Sequence, residues 1–510
     1  MMHIDKTAPK PNPTKGTGKM FQKIKQYILT PGVLLALLIL PGCKIKSCGT
    51  DASPPSTACT TCLDFGSAAK PINITMWYVF EDPSVMQSLA SQYQAKHPYV
   101  TVTTIQQPSL AKYQEQLGLK SGSKEAPDVY FIRHDWLPLY VLKLAPITDL
   151  NLQREPDPSD SVDAYLKPFL PAVMTDMVKT TKTIDPASKK ETTKKELYGI
   201  PWGYEGIALF VNTDHFEEYN RANPGSQVKI PIPTETMTWT DFANAAQRLI
   251  KTTSGWAKVS TDQTKATQIE YKGVERYGAA LGNGSNVQHA SDIFTAMLKQ
   301  ANVDMVAEDQ TTVDFIKSQN ITTSVNALKS YAGYNTVWDK TWPSSMESFA
   351  TGKVSMAFGR SYQIPGVERN SSLHFDVVPF PQRSSDTTSW AVPAYYWTRV
   401  VNKNSTHVEI SWDFIKFVAS KEEMQVYSES TKIPPARSDL SPDLNLGSPR
   451  YNIFTASVPY AFSWYQGEPD AAEKIVITAI NDVADGKTDA QAALTKAAQD
   501  LEVLLRDYQL

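Results

Sequence analysis

The sequence predicts an α/β protein with doubly wound sheets, spread over more than one lobe. Three observations carry that reading. Strand-like and helix-like patterns alternate between residues 72 and 132. Further strand-like runs, at 353–358 and 375–381, recur among helical stretches. And 510 residues at 41% hydrophobic composition are too many for one small core.

In "INITMWYVF" the apolar residues Ile72, Ile74 and Met76 alternate as a strand requires. Val85, Leu89 and Tyr93 then fall on one helical face, and Pro98 closes that helix. Val100, Val102 and Ile105 predict a second strand; Leu110, Tyr113 and Leu117 predict a second helix ending near Gly122. "DVYFI" at 128–132 is a short, continuous apolar run, as in a buried parallel strand. Such sheets bind ligands at the carboxyl ends of their strands. Trp77, Tyr78, Glu81 and Asp82 follow the first strand, and Arg133, His134, Asp135 and Trp136 the third. Aromatic and acidic groups are thereby expected on one rim.

Further along, Thr238 and Asp241 have capping-box spacing, with Phe242, Ala245 and Leu249 on the buried face that follows. "KVSMAF" at 353–358 predicts a strand delivering Gly359, Arg360, Ser361 and Tyr362. "FDVVPFP" at 375–381 predicts another strand, and "HVEISWDFIKFVAS" at 407–420 a strongly apolar helix. The chain ends helically, with Leu494, Ala498, Leu501 and Leu505 on one stripe and Thr488 and Gln491 spaced as a capping box. "KTIDPASKKETTKKE" at 182–196 is a charged insertion, predicted to be a solvated loop. No repeat of 20–50 residues is present.

The net charge of −3 hides an asymmetry: residues 1–42 hold six lysines and one acid, leaving a body at −8. That acidic body argues against nucleic acid as a partner. Lys19, Lys23 and Lys25 precede an apolar stretch to Leu40, which meets Pro41, Gly42 and Cys43. A basic segment followed by a short apolar one describes a secretory signal, and the run is too short to span a bilayer. Met20 is a plausible start for that signal, because the first 19 residues add nothing to it. All four cysteines, Cys43, Cys48, Cys59 and Cys62, lie before residue 63. Cys59 and Cys62 have zinc-ligand spacing, but no His is near them. A local disulfide in an oxidising exterior is the expectation, with no metal and no cofactor. The surrounding Ser, Thr, Gly and Pro predict a flexible tether.

Several blocks resemble, in order, the solute-binding proteins of ABC importers, in the carbohydrate-binding group that includes maltose-binding protein. They are "PDVYFIRHDWLPLYVLKLAPITDL", "LYGIPWGYEGIALFVNTDHF", "TWTDFANAAQRL", "ESFATGKVSMAFGRSYQIPGV", "ISWDFIKFVASKEEMQVYSE" and "AINDVADGKTDAQAALTKAAQDLEVLL". Gly42-Cys43 resembles the lipobox of bacterial lipoproteins, with Pro41 standing where that pattern has a small residue. The resemblance implies a periplasmic-binding-protein-like fold, two doubly wound α/β lobes with a ligand cleft between them. It implies a signal at 1–42 and a tether at 43–70 lipidated on Cys43. One lobe would be built from 71–204 and 381–432, the other from 205–380 and 433–510. Crossings would lie near 204–206, 379–390 and 433–437. The partners implied are a small-molecule solute, most simply a carbohydrate, the ABC permease subunits, and the membrane through the lipid anchor. The protein would act as a monomer on the extracellular face.

A sugar offers C–H faces to aromatic rings and hydroxyls to paired donors and acceptors. The residues that match family binding positions are Trp77, Tyr78, Asp135, Trp136, Tyr204, Glu205, Asn283, Arg360, Tyr362 and Trp464, with Trp390 and Trp397 flanking a further cleft region. Several have a plainer reading. Trp77 and Tyr78 point to opposite faces of a strand, so one belongs inside. Asp135 could cap the next segment, Glu205 could hold a crossing together, and Arg360 could pair with a surface acid. Trp397 and Trp412 suit a core. An extracellular glycosidase is the enzymatic rival, resting on Asp135 and Glu205. G-x-S-x-G, H-E-x-x-H and Walker A motifs are missing from the sequence. The other rivals are a receptor for a polyamine, opine or peptide, and a sensory binding protein.

Overall fold

The computed structural model describes residues 63–148, 161–184, 191–225, 229–233, 235–257, 273–440, 444 and 446–509. The four cysteines, the leader and most of the tether lie outside the described residues.

Two mixed sheets organise the chain. The first has five strands in the order Val100–Gln106, Ile72–Tyr78, Val129–Arg133, Trp397–Val401, Gly199–Pro201. Its first three are parallel, as strand–helix alternation predicts, whereas Trp397–Val401 runs antiparallel to both of its neighbours. The second has six strands, with Val274–Ala279, Val354–Gly359 and Ala208–Asn212 side by side and Phe375–Val378 at the edge next to Ala208–Asn212. Only one pair in it, Val274–Ala279 with Val354–Gly359, is parallel.

Each sheet has its own core. Helices Pro83–Lys96 and Val408–Val418 bury Met86, Leu89, Tyr93, Trp412, Phe414 and Ile415 in the first. Residues Val129 to Ile132 are all fully buried, which is why that strand reads as a continuous apolar run. In the second core Phe210, Phe242, Phe358 and Phe375 meet, and the C-terminal helices Pro469–Ala484 and Ala490–Asp507 add Val476, Ile480, Leu494, Ala498, Leu501 and Leu505. Each such side chain contributes roughly 1.5–3 kcal/mol of burial.

Local signals decide where elements begin. Thr238 and Asp241 form the reciprocal capping box, the Asp241 N–H donating to Thr238 Oγ1 at 3.1 Å. The last helix corrects the sequence reading: its cap is Asp489, not Thr488, whose carboxylate accepts from the N–H groups of Gln491 and Ala492. A carboxylate there also meets the positive end of the helix. The charged insertion is corrected as well. Val178–Ile184 and Glu191–Leu197 pair as an antiparallel hairpin, and Ile147–Thr148 adds a third strand. Threonines recurring through both arms favour pleated backbone, and the lysines between them face water.

Three passages link the two halves. The chain leaves Gly199–Pro201 and enters Ala208–Asn212 through residues 202–207. The second passage lies at Ala394 and Tyr395, beyond the expected 379–390, because Gln382 and Ala391 are still bonded on the second sheet's side. Within 433–437 Pro435 pairs with Gly203, but Arg437 and Ser438 still bond to Phe169 and Pro168 in the first half, and Leu440 lies in its core. The third passage therefore follows Leu440, beyond the expected 433–437, and precedes helix Pro449–Ser457. Gly203 permits the pairing with Pro435, since a Cβ there would stand 2.5 Å from Ile433 Cγ2.

Candidate functional site

Strand ends and passages converge on one cleft. After the first strand the chain turns at Phe80 and Glu81; after Val129–Arg133 a short 3₁₀ turn, His134–Trp136, presents Asp135. From the other side, Val354–Gly359 ends in Arg360, whose N–H is accepted by Gln363 Oε1 at 2.7 Å, fixing the turn that carries Ser361 and Tyr362. Glu205 and Tyr395 exchange two backbone hydrogen bonds, at 2.7 and 2.9 Å, where the first two passages touch.

The larger chamber encloses about 650 Å3. Phe80, Tyr395, Tyr396, Trp397 and Tyr427 line it from the first sheet's side, and Glu205, Ser361, Tyr362 and Tyr451 from the second's. Phe80 is 58% and Tyr362 59% exposed, large values for aromatic rings, and both face this space. Phe80 meets Trp397 edge to face at 5.3 Å. Beneath them lies a buried ion pair, Arg399 Nη2 donating to Glu81 Oε1 at 2.7 Å. Its guanidinium stacks 4.0 Å from the Phe131 ring and 4.1 Å from Trp202. Ser361 Oγ donates to Glu205 Oε2 at 2.6 Å. Burial pushes the Glu205 carboxyl up to about 6, against the pull of that hydrogen bond and of nearby Arg360.

Tyr362 and Tyr395 also border a narrower, charged waist of about 180 Å3. Arg133, His134 and Asp135 wall one side; His289, Asp292, Arg360, Trp464 and Glu473 wall the other. Arg360 is 3% exposed and fully engaged: it donates to Asp292 Oδ2 at 2.8 Å and to the Glu205 carbonyl at 2.9 Å, and lies 4.6 Å over the Tyr395 ring. Arg133 Nε donates to Asp135 Oδ1 at 2.5 Å, and its Nη2 reaches Asp470 at 3.1 Å. Burial raises the Asp292 and Glu473 carboxyls, with Asp292 adding to the effect on Glu473. Burial and Arg360 together hold His289 well below the ordinary histidine range. For His134 burial opposes the charge, but Asp135 and Asp176 outweigh it and the ring is raised. Such a wall can accept hydrogen bonds from hydroxyls or take an amine. No cluster of three or more His, Cys, Asp or Glu suited to a metal occurs among the described residues.

Six sequence candidates therefore come together: Asp135, Glu205, Arg360, Tyr362, Trp397 and Trp464. The others lie elsewhere. Tyr78 is 2% exposed in the first core, and Trp77, on the opposite face, is half-buried with Lys120 Nζ 5.8 Å over its ring. Trp136 is 5% exposed, stacked on Tyr140 and edge-on to Trp397. Tyr204 is fully buried beneath the crossing, its hydroxyl 3.2 Å from Ser457 Oγ. Asn283 holds a turn, accepting from the N–H groups of Ser285 and Asn286. Trp390 donates to the Ser384 carbonyl and packs on Tyr460. Phe80, Tyr395, Tyr427 and Tyr451 line the cleft without having been singled out. The strand-end rule reaches Phe80, two residues past the first strand, and adjacency to Trp397 flags Tyr395. Nothing local marks Tyr427 or Tyr451.

Comparison with known proteins agrees with this architecture. The family model for bacterial extracellular solute-binding proteins matches residues 88–448, well over half of the chain. A cyclic alpha-maltosyl-1,6-maltose binding protein from Arthrobacter globiformis is 15% identical, with a TM-score of 0.62 over 86% of this chain and 100% of that one. The sugar-binding protein MalE from Xanthomonas citri is 15% identical, with a TM-score of 0.61 over 85% and 98%. UgpB from Mycobacterium tuberculosis, in complex with glycerophosphocholine, is 14% identical, with a TM-score of 0.57 over 87% and 100%. At these identities the structures share the two-lobed fold, and the family match places the chain: it belongs to the bacterial extracellular solute-binding proteins.

Proposed function

We propose that this protein captures a sugar or oligosaccharide in the cleft and delivers it to the permease of an ABC importer. The observation that carries the reading is the larger chamber. Exposed rings from both sides, Phe80 and Tyr362 foremost, line a space that suits a small saccharide, with Glu205 and Ser361 at its wall. Apolar faces with a few fixed polar groups are what a pyranose requires. Neighbours that bind maltose-type sugars support the same class.

Cys43 is read as the lipidated residue, residues 1–42 as its signal, and the stretch to residue 70 as a tether holding a monomer at the extracellular face of the cell membrane. Two signals or two acyl chains are needed for stable anchoring. Labelling with a radioactive fatty acid, lost in Cys43→Ser, tests this. The binding role carries no catalysis; turnover of aryl glycosides by the purified protein would overturn that.

Thermal unfolding against neutral oligosaccharides, amines, peptides and glycerophosphocholine tests the solute class. A ligand at 100 times its Kd adds about 2.7 kcal/mol. A shift with one sugar class, lost in Tyr362→Ala, supports the reading. Response to amines alone favours the waist, where Asp135, Asp292 and Glu473 gather, as a cation site and removes the sugar assignment.

A further inference from the structure

Three walls of the cleft are tied to one carboxylate that lines neither chamber. Asp176 stands in the short helix Ala172–Met177 of the first half, its side chain only 3% exposed. Its Oδ2 accepts from the Tyr396 hydroxyl at 2.6 Å and lies 3.0 Å from His134 Nδ1; its Oδ1 accepts from the Ser463 hydroxyl at 2.5 Å. A carboxylate only accepts, so His134 Nδ1 carries the proton in this contact. The His134 and Tyr396 rings stack at 4.8 Å, which sets two of the donors against each other. Each donor is the chain neighbour of a residue that lines the cleft. His134 precedes Asp135, Tyr396 stands between Tyr395 and Trp397, and Ser463 precedes Trp464.

We propose that Asp176 is a positioning residue for solute capture: its three hydrogen bonds hold Asp135, the Tyr395–Trp397 stretch and Trp464 at the spacing in which they meet one ligand. The inference rests on the cleft being the solute site, not on the solute being a sugar. Filling this space would need only an apolar side chain. A buried carboxylate is costly unless its oxygens are satisfied, and one satisfied by donors from three segments fixes direction as well as distance. The bond to Ser463 also joins the two halves. Ala172, Val173 and Met177 belong to the first core, whereas Phe462, Trp464 and Tyr465 pack with the second. Arg133 and Asp470 bridge the same gap, but the Asp470 side chain is 72% exposed, and such a pair contributes little. The buried bond is therefore the one that sets where Trp464 stands against Asp135.

The test uses the full chain labelled with 5-fluorotryptophan, the Trp464 fluorine resonance being assigned by its loss in Trp464→Phe. The readout is the shift of that resonance between H2O and D2O, which grows with solvent exposure. The variants are Asp176→Ala, Asp176→Asn and Ser463→Ala, with thermal unfolding as the check on folding. Asparagine keeps an acceptor for His134 and Tyr396 and an amide donor for the Ser463 oxygen, so all three links survive without the charge. In the unliganded protein the solvent shift of Trp464 is expected to rise in Asp176→Ala and Ser463→Ala and to return to the wild-type value in Asp176→Asn. Calorimetry with maltotriose, cellotriose and mannotriose should show affinity for the trisaccharide that binds weakened about tenfold or more in Asp176→Ala and within about threefold of wild type in Asp176→Asn. A folded Ser463→Ala with an unchanged Trp464 shift, or an Asp176→Asn variant as impaired as Asp176→Ala, overturns the positioning role. Silence with all three trisaccharides removes the sugar reading and leaves the fluorine result to decide the role of Asp176.

Discussion

Replacing Arg399 by Met is the most informative single perturbation of the cleft. Arg399 is 1% and Glu81 7% exposed, and their contact at 2.7 Å is the charge pairing beneath the aromatic chamber. The guanidinium also donates to the Trp397 carbonyl at 2.9 Å and lies against Phe131 and Trp202. Methionine keeps much of the apolar stem but leaves Glu81 buried with no cation. Glu81 Oε2 already lacks a hydrogen-bond partner, and Oε1 would keep only the long 3.4 Å bond from the neutral Tyr427 hydroxyl, so no second cation takes over. Breaking one side of a buried pair costs about 3–5 kcal/mol, a large part of a stability of roughly 5–15 kcal/mol. Removing both charges, in Glu81→Leu with Arg399→Met, restores most of that, because an apolar pair of similar volume is about neutral against an ion pair. Urea unfolding followed by tryptophan fluorescence gives the three differences, and the cycle gives the coupling. A cost below about 1 kcal/mol for Arg399→Met, or a double variant as unstable as the two single losses added, refutes the argument. Because Glu81 adjoins Phe80 and Arg399 holds the Trp397 carbonyl, the double variant is expected to recover stability while still binding solute more weakly.

Three further outcomes are expected. Glu205 is more easily protonated folded than unfolded, with its carboxyl raised from 4.5 to about 6. Its stabilisation is therefore full below pH 4.5 and lost as the pH rises through about 6, about 2 kcal/mol in all, and Glu205→Gln should flatten that part of a stability–pH curve. Trp136→Ala should cost about 3–5 kcal/mol as a core truncation, whereas Tyr362→Ala should leave the melting temperature within a degree or two and weaken solute binding about tenfold or more; the reverse pattern would exchange their roles. Gly278→Ala would place a Cβ 1.7 Å from the Ala246 carbonyl oxygen, backbone against backbone, so denaturant titration should show a loss at or above the roughly 1–3 kcal/mol usual for overpacking.

The elements legible in the sequence are those whose periodicity and burial agree. Ile72, Ile74 and Met76 alternate because one face of their strand meets the core, and Leu494, Ala498, Leu501 and Leu505 repeat because one face of their helix does. Antiparallel Trp397–Val401 escaped notice for the opposite reason. It sits inside the first sheet with Thr398, Arg399, Val400 and Val401 all buried, so neither alternation nor an all-apolar run announces it. The hairpin at 178–197 was masked by charge. Its lysines are spaced along exposed arms, and lysine frequency says loop while threonine spacing says strand.

The cleft divides along the same physical line. Asp135 and Arg360 follow strands, and a strand fixes where its carboxyl end arrives, so their placement could be read from one dimension. Trp77 and Trp136 are close in sequence to those ends, yet a one-residue change of phase turns a side chain to the other face of a strand, and a 3₁₀ turn redirects it again. Phe80 and Asp135 occupy the cleft; Trp77 and Trp136 support it. Tyr427 and Tyr451 belong to a different class. Tyr427 comes from a helix of the first sheet's half and Tyr451 from one packed on the second's, and they share a chamber only because the third passage brings the chain across between them. Where a wall of the chamber depends on how a passage is stacked, through contacts such as Gly203 against Pro435, no residue pattern short of the whole fold could reveal it.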